Sequence, residues 1–70
     1  MITIALKSSN LRTASYDPST ARLVVAFHSD AVYEYAQVPL PVFLRLLKAD
    51  SHGSYFAENI RNVYRYRRLK

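Results

Sequence analysis

Apolar residues recur at period two through the first half of this chain and at helical spacing in the second half. Residues 21 to 28 are β-rich, and Leu23, Val25 and Phe27 alternate onto one face. Residues 31 to 38 form the next strand, with Ser29 and Asp30 marking a tight reversal between the two. Upstream, residues 11 to 16 read as a strand of weak propensity, and Met1 to Leu6 as a short strand or an extended arm. Asp17-Pro18-Ser19-Thr20 is a type I turn, because Asp accepts hydrogen bonds at its first position and Pro presets φ at its second.

Pro39 ends the sheet, and Pro41 suits the first turn of a helix running to about Ala49. Val42, Phe43, Leu46 and Leu47 share one stripe of that helix, while Arg45 and Lys48 lie near its negative end. Residues 50 to 53 break it, Ser54 is placed to cap a second helix, and Phe56, Ile60 and Val63 continue at helical spacing. Beyond Val63 the period returns to two. Tyr64, Tyr66 and Arg68 fall on one side, and Arg65, Arg67 and Leu69 on the other, as a terminal strand or an arm. The expected fold is α+β: an antiparallel three- or four-stranded β-meander, then two short helices and a basic C-terminal segment, all in one domain over residues 1–70.

The turn between the third and fourth strands decides which side chains share a face. A two-residue loop would set Glu34 opposite Val25 and place a carboxylate among apolar residues. A three-residue loop of Ser29, Asp30 and Ala31 would bring Tyr33 and Tyr35 opposite Phe27 and Val25 and turn Glu34 away. Burying an unpaired carboxylate is costly, and aromatic cross-strand pairs are favourable. The three-residue loop is therefore expected.

Charge adds a second feature. Residues 61 to 70 hold five cations and no anion, whereas residues 1 to 60 hold five of each sign. The net charge of +5 is thus local, and rings are threaded through it. Arg61, Arg65, Arg67, Arg68 and Lys70 suit phosphate, and Tyr64 and Tyr66 can stack on unpaired bases. A secondary set comprises Tyr33 and Tyr35, which resemble a stacking platform on a sheet, and Lys7, Ser8 and Ser9, which can meet phosphate through hydroxyls and backbone N–H groups. Two bland readings stand beside these. The register above turns Tyr33 and Tyr35 toward the core, and the polar Lys7-to-Asn10 stretch also suits a turn that satisfies its own backbone.

The remaining composition narrows the function classes. There is no cysteine, so disulfides and thiolate metal sites are excluded, and a cytoplasmic compartment is expected. The apolar start is too short for a signal core, and no uncharged run approaches a membrane span. His28 and His52 stand without ligand partners at zinc spacing, the five carboxylates are scattered, and one glycine cannot build a phosphate-cradling loop. Neither a catalytic constellation nor a cofactor or metal site is expected.

The ordered set of residues resembles the KTSC domain, named for the carboxyl end of some lysyl-tRNA synthetases and also found as a free-standing small protein. The matching pieces are Ser8-Ser9, Tyr16-Asp17, the alternating Leu23-Val25-Phe27, Tyr33-Glu34-Tyr35, Val38-Pro39, Gly53-Ser54-Tyr55-Phe56, Ile60-Arg61 and Tyr64-Arg65-Tyr66-Arg67-Arg68. Arg65 stands where many relatives have proline, and Ser29-Asp30 replaces an Asn-Gly-like turn. The resemblance implies RNA binding only by association with a tRNA-charging enzyme. The basic arm and the uncovered strand edges themselves suggest three partner classes: RNA or single-stranded nucleic acid, a protein that offers an acidic surface to the arm or a strand to an edge, and a second copy in a homodimer paired edge to edge.

Overall fold

A computed structural model describes residues 1–70. Five strands form one antiparallel sheet in chain order: β1 (Ile2–Ala5), β2 (Leu11–Asp17), β3 (Arg22–Phe27), β4 (Val32–Tyr35) and β5 (Tyr66–Arg68). Helices α1 (Leu40–Lys48) and α2 (His52–Asn59) are inserted between β4 and β5. The α+β class and the sheet-then-helices order match expectation. The sheet has five strands because both terminal segments, each legible as strand or arm, pair with their neighbours.

One face of the sheet carries the core. Twelve residues are buried, all of them hydrophobic, including Leu23, Val25 and Tyr35 from the sheet and Phe43, Leu46, Phe56 and Ile60 from the helical half. Phe43 of α1 stacks on Tyr16 with ring centroids 4.9 Å apart, and the Tyr16 hydroxyl donates to the Val38 carbonyl at 2.6 Å. That pair ties β2 to the entrance of α1. Phe56 of α2 packs edge-on against both Phe27 and Tyr35, so α2 covers the β3–β4 half.

In β2, Leu11 pairs with Phe27 and Thr13 with Ala26, leaving Arg12 as an extra residue. This bulge lets Leu11 and Ala14 both face the core although they are three positions apart. The turn after β2 forms as expected, with Thr20 N–H bonded to the Asp17 carbonyl and the Asp17 carboxylate accepting from Ser19. Those Ser19 bonds hold the Asp17 carboxyl below its usual range.

Three local expectations are corrected. The β3–β4 loop is three residues long, but it is His28-Ser29-Asp30, with the Phe27 N–H bonded to the Ala31 carbonyl. Val25 therefore faces Tyr33, and Leu23 faces Tyr35. The slip is two residues, so every side chain keeps its expected face. Asp30 makes this loop feasible by adopting φ 72°, which aspartate tolerates better than most residues. Second, α2 starts at His52 and is capped by Ser51, whose Oγ accepts from the Ser54 N–H at 3.2 Å. Ser54 is thus the third residue inside the helix, the usual donor to a cap. Third, α2 ends at Asn59, and Val63 lies in a turn, 61% exposed, instead of on the core stripe.

Candidate nucleic-acid interface

The position of β5 distributes the basic segment over the two faces of the sheet. Tyr33 pairs with Arg68, Glu34 with Arg67, and Tyr35 with Tyr66. Side chains alternate along a strand, so Tyr66 and Arg68 join Tyr33 and Tyr35 on the helix-covered face. Arg67 joins Glu34 on the open face. There Glu34 accepts from Arg22 at 3.1 Å and from Arg67 at 3.2 Å, forming a bridge across three strands. Backbone bonds between Val32 and residues 69 and 70 carry the pairing to the chain end.

On the covered face the helices do not reach β5. Tyr35 is buried against Phe56, whereas Tyr66 beside it is 56% exposed. Tyr33 is half-buried and touches Phe27 and Tyr66 at centroid distances of 5.9 and 5.7 Å. The Arg68 guanidinium lies 5.8 Å from the Tyr33 ring centroid, within cation–π range. Its Nε donates to the Lys70 carbonyl at 3.0 Å. An open cleft of about 400 Å³ results, with Phe27, Tyr33 and Tyr66 as its aromatic wall and Arg61 and Arg68 at its margins. No carboxylate lines it.

Burial among these rings pushes the Tyr35 hydroxyl up to about 12, with the neighbouring phenols of Tyr33 and Tyr66 adding to the rise and Arg61 opposing it. Arg61 therefore acts electrostatically on the cleft although it belongs to the turn after α2.

The expected site residues are thus partly brought together. Arg61, Arg68, Tyr66 and Tyr33 converge on one cleft. Tyr35 forms its floor as a core residue. Tyr64 is half-buried against the core and lines a separate depression with Arg65 and Gln37. Arg65 and Lys70 are exposed and make no ion pair, while Arg67 is held by Glu34. Phe27 and Ser29 also line the cleft. Phe27 was legible as a neighbour of the tyrosines through its shared face. Ser29 carries no such signal.

Lys7, Ser8 and Ser9 lie elsewhere, at a polar cleft of about 490 Å³ facing the start of α2. Ser8 Oγ accepts from the N–H groups of Asn10 and Leu11, both at 3.2 Å, so it closes the β1–β2 turn. His28 hydrogen-bonds the Ser8 carbonyl, and His52 donates Nδ1–H to the Leu46 carbonyl at 2.7 Å, capping α1. Both imidazoles thus serve backbone groups. No helix is long and apolar enough to cross a membrane.

The KTSC domain pattern matches residues 7–64. An uncharacterized protein of Stutzerimonas stutzeri is 45% identical over 67 residues, covering 94% of each chain. The lysine–tRNA ligase of a Nostoc species is 36% identical over 63 residues, which cover 90% of this chain but only 11% of the ligase. In structure, the chain is similar to the KTSC domain protein of Yersinia pestis, with a TM-score of 0.93 at 25% identity, covering 99% of this chain and 97% of the other.

Proposed function

This chain belongs to the KTSC domain family, and we propose that it acts as a small non-catalytic module binding RNA or another single-stranded nucleic acid. The observation that carries this reading is the cleft at β5. It combines a solvent-facing Tyr66 ring with two arginines that no carboxylate neutralises. An aromatic face offers a base a partner of any sequence, and guanidinium forks suit phosphate oxygens.

Arg61 and Arg68 contact the backbone at the cleft, while Lys70 at the chain end and Arg65, at the separate depression beside Tyr64 and Gln37, add unpaired charge. Arg67 holds Glu34 on the other face and takes no part. Occurrence of related sequence within lysine–tRNA ligases, enzymes that handle an RNA, supports the reading by association alone. The test is a salt titration of binding to a short single-stranded RNA. Engagement of the four free cations gives a log–log slope of up to about −2.8, from roughly −0.7 per phosphate. A slope of zero removes the mechanism.

The free edge of β1 favours a second reading. Met1, Ile2 and Ile4 are exposed there, and residues 1 to 6 carry no charged side chain to discourage strand addition. A partner protein, or a second copy, would pair with that edge. Capture that survives nuclease treatment and is lost on substituting lysine at Thr3 supports this alternative.

A further inference from the structure

We propose that the β4–β5 cleft is a single-nucleotide pocket that takes one unpaired base against its tyrosine wall and that base's phosphate between Arg61 and Arg68. This rests on the nucleic-acid reading above and specifies its ligand.

Size is the first ground. About 400 Å³ lies near the small end of ligand clefts, which run from roughly 300 to 1,000 Å³. It has room for one nucleotide. The second ground is the lining. Phe27, Tyr33 and Tyr66 offer apolar ring surface, and a base can cover that surface only when one of its own faces is free. Bases inside a duplex have both faces occupied by their neighbours. An unpaired nucleotide, or one at a strand end, meets the requirement.

Charge supplies the third ground. Arg68 is already held by the Tyr33 ring and by the Lys70 carbonyl through Nε. Its terminal nitrogens make no hydrogen bond within the chain, which leaves them for an anion with little further loss of freedom. Arg61 is exposed and makes no ion pair. A neutral planar ligand would leave both guanidiniums unanswered, and a simple anion would leave the rings uncovered. A nucleotide satisfies both. Ser29 supplies the lining's one hydroxyl outside the tyrosines, so selection among bases rests mainly on stacking and favours purines.

The experiment compares a short oligoadenylate RNA, an abasic sugar–phosphate chain of equal length, the RNA annealed to its complement, and adenosine monophosphate. Aromatic NMR signals of Phe27, Tyr33 and Tyr66 are followed in the wild type and in Tyr66→Ala. The inference predicts ring shifts with the single strand and, at higher concentration, with the mononucleotide. It also predicts that the abasic chain binds more weakly by about 5- to 150-fold, the range for one base stacked on one ring. In Tyr66→Ala that difference shrinks. Equal affinity for the abasic chain, or equal ring shifts with the duplex, overturns the single-nucleotide pocket while leaving electrostatic nucleic-acid binding in place. Failure of every polyanion to bind overturns both.

Discussion

Tyr35 and Tyr66 face each other across the β4–β5 pair with ring centroids 5.9 Å apart, yet one is 2% exposed and the other 56%. The boundary of the core runs between them. α2 reaches Tyr35 through Phe56 and stops, so the same row of the sheet serves packing on one strand and solvent on the next.

The two tyrosines should therefore respond very differently to truncation. Tyr35→Ala removes a core ring and is expected to cost about 3 to 5 kcal/mol, enough to unfold a domain of marginal stability. Tyr66→Ala is expected to cost about 1 kcal/mol or less, because most of that ring already meets water. Urea denaturation followed by circular dichroism measures both.

Tyr16→Phe keeps the stack on Phe43 but deletes the 2.6 Å hydrogen bond to the Val38 carbonyl. Leaving a buried acceptor without its partner should cost about 1 to 3 kcal/mol. The loss should be visible as a lower urea midpoint with an unchanged denaturant slope.

Alkaline pH should destabilise the protein through Tyr35. In the unfolded chain its phenol ionises near 10.0, and in the fold only at about 12. Between those values the folded state keeps a proton that the unfolded chain has released. The contribution is complete below pH 10.0 and is lost as pH climbs toward about 12. Tyr35→Phe should fold at neutral pH and show a flatter decline over that window in thermal melts.

The Glu34 bridge should matter little to stability. Its arginines are 45% and 69% exposed, although Glu34 itself is 12% exposed. Pairs of this kind contribute about 0 to 1 kcal/mol and weaken with salt. Glu34→Gln should lower the melting temperature slightly at low ionic strength and still less in high salt.

Much of this architecture was legible in the alternation of residues. The stripe of Val42, Phe43, Leu46 and Leu47 identified the inner face of α1, and Phe43 and Leu46 are buried there. The cost of burying Glu34 correctly turned Tyr33 and Tyr35 toward the core. The exact pairing was out of reach, because Asp30 supplies a left-handed residue without glycine. Likewise the start of α2 was displaced, since Ser51 and Ser54 are both good caps and only the backbone decides between them. The basic segment posed a different difficulty. Its period of two separated Arg68 from Arg67, but which of them meets the rings depends on pairing with β4, a contact between residues more than thirty positions apart.

Two adjacent charge removals separate nucleic-acid binding on the ring-bearing face of β5 from attraction to the basic segment as a whole. Arg68→Gln and Arg67→Gln change the net charge equally and differ in the face they strip. Arg68→Gln should weaken binding to single-stranded RNA and reduce the salt slope by about 0.7, whereas Arg67→Gln should alter both far less. Equal losses from the two substitutions, or a larger loss from Arg67→Gln, would contradict it.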